Sequence, residues 1–475
     1  MRSSGILLPV FSLQGDYGIG TTGKSAYDFV DFLKASGQKY WQILPLNPTS
    51  YGNSPYQSPC VFAGNPYMID PLTLRQWGLI KDSDLDAYRY ENNPAIDYAM
   101  LYHERLPLIK KAAQAVSDSD SDYLAFKEKE SFWFENYCTF MALKEKNNML
   151  HHKSWKDKST IGISHIKEIY GKMQFLFYTQ WLNLKKYAND NGIRIIGDLP
   201  IYPAEDSSDY YFAPDMFAEG IVAACPPDSF NINGQLWGNP VYDWQKMQSD
   251  GYSWWKERLS QASRLYDSIR IDHFRGFYEY YSTAIGKSAK NGKWSKGPGL
   301  DFCHMVRENF PSLDIIAEDL GFLTDDTRAF FRQSGFDGMK VLLFAFDGND
   351  SEYLPHNHIK NSVVYTGTHD TPTVLQWICQ SSSEQINYAM DYLGASSIYT
   401  LGDCFIKGAF SSVSSRAIIP IQDWLKVGCG GRINTPGIAG KNWQWRIKER
   451  QLTDNLKDKI LSYTKIYKRF QEESQ

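Results

Sequence analysis

Three short stretches of this chain each end in a carboxylate: Ser268-Ile-Arg-Ile-Asp272, Asp314-Ile-Ile-Ala-Glu318 and Thr366-Gly-Thr-His-Asp370. In the first two a β-branched apolar run terminates in an acid. In the third, Ser362-Val-Val-Tyr365 leads through Gly367 to His369 and Asp370. A strand that stops at an acid presents that side chain at its C-terminal edge, which in a parallel α/β barrel is where chemistry sits. Two Asp and one Glu aimed at one pocket suit the making and breaking of glycosidic bonds.

The neighbours of these acids divide the work. Arg270 precedes Asp272 by two positions, so both leave the same face of a strand. Its guanidinium is expected to lower the Asp272 pKa and keep it ionised, and an ionised carboxylate is a competent nucleophile toward an anomeric carbon. A Glu318 held protonated would donate to a departing glycosidic oxygen and then take a proton from an incoming hydroxyl. His369 offers an uncharged donor to a sugar hydroxyl, and Asp370 favours positive charge developing at the ring. Each acid alone has a plainer reading as a cap, a turn residue or an ion-pair partner. Asp198 alone reads as a cap, and Tyr56 as a ring that stiffens its loop between Pro55 and Pro59.

Eight short, apolar, nearly unalternated runs read as strands buried on both faces. They are Ile6–Leu8, Tyr40–Leu44, Arg194–Gly197, Ser268–Ile271, Asp314–Ala317, Lys340–Phe344, Ser362–Tyr365 and Arg416–Ile419. Helical spacing separates several of them, as in Ala26, Phe29, Val30 and Leu33 before Gly37, or Trp255, Leu259, Ala262 and Tyr266. Repeated strand–helix alternation predicts an α/β fold, a (β/α)8 TIM barrel forming a single catalytic unit over 1–475. Residues 75–165, rich in Lys, Glu, Asp and Tyr, read as a mostly helical insertion between strands two and three. Residues 203–250 read as a loop-rich insertion after strand three. About 55 residues follow the eighth strand, which leaves no room for a C-terminal β-sandwich.

Composition narrows the partners. A net charge of -4 over 475 residues gives no reason to expect nucleic acid or an anionic membrane. The seven Cys are scattered without CxxC spacing and read as free thiols of a reducing compartment. The apolar run Gly5–Phe11 is broken by Pro9 and too short for a secretory signal, and no other run spans a bilayer. The expectation is a cytoplasmic protein of unknown oligomeric state. Its scattered His, with no Cys or carboxylate at ligand spacing, predict no metal site and no cofactor. Aromatic residues make up 15% of the chain. Most should be core, but those in Gly/Asn/Pro-rich loops suit the flat, hydroxyl-edged rings of sugars.

Motifs along nearly the whole chain carry a family likeness. They include Gln38-Lys-Tyr-Trp-Gln-Ile-Leu-Pro-Leu46, Asn53-Ser-Pro-Tyr-Gln-Ser58, Gly197-Asp-Leu-Pro-Ile-Tyr202 and Gly234-Gln-Leu-Trp-Gly-Asn-Pro240. Further along come Arg270-Ile-Asp-His-Phe-Arg-Gly276, Lys296-Gly-Pro-Gly299, Ala317-Glu-Asp-Leu-Gly321, Gly367-Thr-His-Asp370 and Arg432-Ile-Asn-Thr-Pro-Gly437. With these the chain resembles 4-alpha-glucanotransferases of the amylomaltase (disproportionating enzyme) type, within the α-amylase superfamily. The resemblance implies Asp272 as nucleophile, Glu318 as general acid/base and Asp370 as transition-state stabiliser, with Arg270 and His369 as supports. It implies sugar binding by Asp198, an aromatic platform at Tyr56 and an acceptor-side loop around Trp237, and it brings Asn239, His273, Asn434 and Pro436 into the substrate-binding set. The implied partners are maltooligosaccharides, starch- or glycogen-derived glucans, and glucose as acceptor. The implied reaction is a retaining transfer of an α-1,4-glucan segment. An α-amylase-type hydrolase and a noncatalytic glucan-binding barrel are the alternatives.

The chain departs from the family pattern at Glu205 (where relatives often have His), at Cys225-Pro-Pro-Asp-Ser229 and at Gly428-Cys-Gly-Gly431. These positions bear on chain-length preference and acceptor affinity. Tyr202 and Pro203 stand where many α-amylases place an Asn-His pair, so no structural calcium is expected there.

Overall fold

The structure, a computed structural model, describes residues 2–50, 52–88, 95–227, 232–321, 323–348, 351–438 and 440–470. Eight parallel strands form its centre: β1 (Ser3–Leu7), β2 (Tyr40–Gln42), β3 (Arg194–Leu199), β4 (Ser268–Ile271), β5 (Asp314–Ala317), β6 (Gly338–Val341), β7 (Ser362–Tyr365) and β8 (Arg416–Pro420). They are neighbours in chain order, and β8 pairs with β1. A parallel bridge between Ile316 and Asp337 joins β5 to β6 and closes the cylinder. All eight strands read from the sequence are present in this (β/α)8 barrel. The sixth is shifted: it runs Gly338–Val341, and Leu342–Phe344 turn into a 3-10 segment.

Every residue of β1, β2, β4, β7 and β8 is buried. That double burial is why these strands read as unalternated apolar runs. The helix Lys24–Ala35 buries Ala26, Phe29, Val30 and Leu33 as its spacing predicts. The helix Ser253–Leu265 buries Trp254, Trp255, Leu259 and Ala262. Between β2 and β3 lie several helices, the longest Phe134–Lys146 and Ser164–Asp190. Rings of Tyr123, Phe126, Phe134, Phe175 and Tyr178 pack against one another there, which accounts for part of the aromatic excess.

The N-terminal edge of the barrel is tied across its interior. Arg416, the first residue of β8, donates to Asp314 at 2.6 Å and to Asp337 at 2.6 Å. The guanidinium is nearly buried and its two partners are partly exposed. Arg416→Leu is expected to cost about 2–3 kcal/mol, below the full penalty for breaking a buried pair because water reaches both carboxylates. The check is a lower urea midpoint with kcat unchanged, since the reacting end of the barrel is opposite.

A four-stranded antiparallel sheet lies outside the barrel and is not anticipated by the sequence reading. Its strands are Gln235–Tyr242, Phe217–Cys225, Glu279–Ala284 and Lys293–Lys296, in that spatial order. Gly220, Gly238 and Pro240 interrupt its strands, and bulges shift its register, so no clean alternation marks it. This sheet carries Trp237 and Asn239 and follows β3 and β4 in the chain. Within the motif Cys225–Ser229, Asp228 and Ser229 lie outside the described residues.

Candidate active site

Strand register explains the centre of the site. Asp198 on β3 is the direct partner of Arg270 on β4, and Arg270 is the partner of Ile316 on β5. Asp272 and Glu318 each lie two residues beyond, so they share the inward face. Arg270 is 2% exposed and reaches three carboxylates: Asp198 at 2.5 Å, Glu318 at 2.9 Å and Asp272 at 3.2 Å. One nitrogen, Nη2, makes both of the last two contacts. The two carboxyls are therefore closer together than the about 6.5–9.5 Å of an inverting pair.

His273, directly after Asp272, has left-handed backbone geometry (φ 47°, ψ 47°). A non-glycine residue rarely adopts it, and such strain gathers where structure over-determines it. Here it turns the His273 N–H onto Glu318 Oε2 at 2.6 Å. Burial pushes the imidazole down to about 4, so it is neutral at physiological pH. The Trp237 ring meets it edge-on, with centroids 4.8 Å apart.

Arg270 pulls Asp272 down, as its place two residues upstream predicts, but it does not set the net direction. Burial pushes Asp272 well above the ordinary carboxylate range, and the Glu318 charge adds to this against the pull of Arg270. Burial also pushes Glu318 up, but Arg270, the His273 N–H and a hydrogen bond from Asp272 outweigh it and hold Glu318 low. The reason is geometric: Arg270 spends its charge on Asp198 and Glu318 at closer range than on Asp272. The two carboxyls face each other closely enough to titrate as one coupled pair, with Asp272 raised and Glu318 lowered.

Asp198, expected to bind sugar, lies enclosed beside the arginine that the three acids share. Its side chain has no exposed surface, and it accepts from Arg270 and from Tyr56 Oη at 2.9 Å. It acts on the site through those two groups. Its charge also raises Asp272. Asp198→Asn is therefore expected to make the pair's proton easier to lose and to move the alkaline limb of kcat/KM to lower pH. A pH–rate profile of the variant beside the parent checks this, and a shift to higher pH would refute it.

On the opposite wall, Gly367 closes a tight turn after β7: a Cβ there would stand 2.6 Å from Thr371 Oγ1. The turn lays down His369, buried, and Asp370, part-exposed. Tyr56 Oη lies 3.0 Å from His369 Nε2, and the two rings stack with centroids 5.4 Å apart and planes 13° apart. Asn434 Nδ2 donates to Asp370 Oδ1 at 2.6 Å, its backbone N–H donates to the His369 carbonyl, and Arg432 donates to the Asp370 carbonyl at 2.6 Å. Asn239 accepts from Gln57 at 2.8 Å and donates to the Pro203 carbonyl at 2.8 Å, so it braces the Tyr56 loop. Pro436 is exposed two residues past Asn434 and takes no part in these hydrogen bonds. Trp443, which packs on both Tyr56 and His369, was not singled out by its sequence context.

Glu205 faces the helical region between β2 and β3: it pairs with Lys153 and lies 3.4 Å from His151. Beside it, His151, His152 and Asp206 bring potential ligand atoms within 4.8 Å of one another, a grouping that sequence spacing did not reveal. The carboxylates there are already met by ammonium groups, Asp206 by Lys144 and Glu205 by Lys153.

A barrel with close-set acids on adjacent strand ends and a third acid across the cleft defines a carbohydrate-active enzyme of the glycosidic-bond class. A family model described as 4-alpha-glucanotransferase matches residues 8–453. A 4-alpha-glucanotransferase of Clostridium butyricum is 43% identical, over 97% of this chain and 99% of its own. The enzyme of that name from Thermus thermophilus is 39% identical, over 95% and 96%. The solved amylomaltase of Streptococcus agalactiae in complex with acarbose superposes with a TM-score of 0.96 at 35% identity, over 99% of this chain and all of that one. The chain belongs to the 4-alpha-glucanotransferase family, glycosyltransferases acting on α-1,4-glucans, and the hydrolase alternative is not favoured. No described helix is long and apolar enough to cross a membrane.

Proposed function

We propose that the protein moves α-1,4-glucan segments from a maltooligosaccharide donor to the 4-hydroxyl of glucose or another glucan by retaining double displacement. Transfer is supported by membership of the family, and the retaining course by the single Arg270 nitrogen in contact with both Asp272 and Glu318, too close a pairing for an inverting enzyme. The coupled pair brings one proton to the reaction, and Glu318 is the member that presents it to the glycosidic oxygen. The ionised Asp272 attacks the anomeric carbon as Glu318 protonates the leaving oxygen. The glycosyl–enzyme ester is then opened by an acceptor hydroxyl whose proton returns to Glu318.

Asp370, with one oxygen held by Asn434, offers the other to a sugar hydroxyl while positive charge grows at the ring. Tyr56 supplies the flat face at the cleavage point, and Trp237 covers the acceptor side. Such covering favours a sugar hydroxyl over water as the attacking group. The acarbose bound by the Streptococcus relative supports glucan-like ligands here. None of the seven cysteines forms a disulfide among the described residues, which suits a reducing compartment and supports a cytoplasmic location.

Maltotriose is the substrate that tests the reading. Incubation should give glucose together with a ladder of products longer than maltotriose, resolved by mass spectrometry. Glucose and maltose with nothing longer would replace transfer by hydrolysis.

A further inference from the structure

Trp443 is a bulky residue in the left-handed backbone region (φ 66°), where a non-glycine of this size is an outlier costing about 1–3 kcal/mol. It is 4% exposed. The conformation is clamped from two sides. Its N–H donates to the Ile433 carbonyl at 2.8 Å, and its carbonyl accepts from Tyr98 Oη at 2.9 Å. The flanking chain is tied down as well. Ile96 N–H donates to the Gln444 carbonyl, Arg446 donates to the Gly15 carbonyl at 2.6 Å, and Ile447 N–H donates to the Ser12 carbonyl. Thr435 and Asn442 bond to each other, which closes the same segment on itself.

What the clamp presents is the indole. It packs against the Tyr56 ring at 5.7 Å and the His369 ring at 6.1 Å, tilted by 42° and 38°. Tyr56 and His369 stack on each other, so the three rings form one closed group. Two of its members are tied to the acids, Tyr56 to Asp198 and His369 to Asp370 at 3.3 Å. The third is tied to neither. Its strained backbone makes sense if the position of the ring matters more than the comfort of the chain.

We propose that Trp443 is a positioning residue for the reaction: it fixes the planes of the Tyr56 and His369 rings, and through them the contacts those rings make with Asp198 and Asp370. This rests on the transferase reading of the same site. A residue of this kind acts on the transition state more than on ground-state binding, because a small misplacement of oriented groups lowers kcat steeply.

The test compares the parent, Trp443→Phe, Trp443→Leu and Tyr98→Phe for kcat and KM on maltotriose and for Tm. Trp443→Leu should lower kcat by roughly tenfold or more with KM within about threefold, and Trp443→Phe, which restores a ring, should recover most of the loss. Unchanged kcat in Trp443→Leu, a loss confined to KM, or no recovery by Trp443→Phe would overturn the proposal. If Trp443→Leu does not fold, Tyr98→Phe decides: it removes only the hydroxyl on the Trp443 carbonyl. A lower kcat at a Tm close to the parent's supports the proposal, and an unchanged kcat overturns it. Absence of longer products from the parent itself would instead defeat the transferase reading.

Discussion

Arg270→Met is expected to destabilise the protein by about 3–5 kcal/mol and to remove measurable transfer activity. Among the described residues the guanidinium is the cation that contacts Asp198, Asp272 and Glu318 together, and Asp198 is wholly enclosed. Without it, burial opposes ionisation of all three. Protonation would relieve the charge but leave no carboxylate to attack. Arg270→Lys should recover little, because a single ammonium cannot reproduce a planar fork whose two nitrogens serve three acceptors. Urea unfolding and maltotriose turnover measure the two losses, and near-parental stability in Arg270→Met would contradict the arrangement described here.

Asp272→Asn should show the opposite pairing of effects: activity down by about 10⁴-fold or more, stability up. The carboxyl is raised in the folded protein above its unfolded value of about 3.9. An acid so raised loses its proton first in the unfolded chain, so its contribution to stability falls as pH rises from the unfolded pKa through the folded one. Asparagine removes that penalty. The variant should melt higher than the parent at neutral pH, and the two should converge below about pH 3.9. A lower Tm at pH 7 would mean that Asp272 contributes to the fold beyond its charge.

The barrel was legible because its strands are buried on both faces and end where the chemistry begins. Ser268–Ile271 and Asp314–Ala317 show both signals within five residues. The antiparallel sheet carrying Trp237 was not legible, because glycines, a proline and bulges erase its alternation. Asp272, Glu318 and Asp370 could be named from strand-end position, but the order in which Asp272 and Glu318 hold their proton could not. It depends on burial and on how Arg270 is shared among three carboxylates. The enclosure of Asp198 and the ring group around Trp443 are likewise products of packing between segments far apart in sequence.

The closure of the barrel has a mechanical meaning. β4 is laddered on both sides through four consecutive residues, to β3 and to β5. Among the described residues the ladder between β5 and β6 shrinks to one bridge at Ile316 and Asp337, backed by Arg416 across Asp314 and Asp337 and by the Met339 N–H on Asp319. The cylinder is thus a cuff with a clasp, and a fluctuation that widens it parts first at the clasp, where the fewest backbone bonds resist. Asp272, proposed to hold the ester, follows the strand with a four-residue ladder on each side. Glu318, proposed to give and retrieve the proton, follows the strand whose ladder on one side is a single bridge.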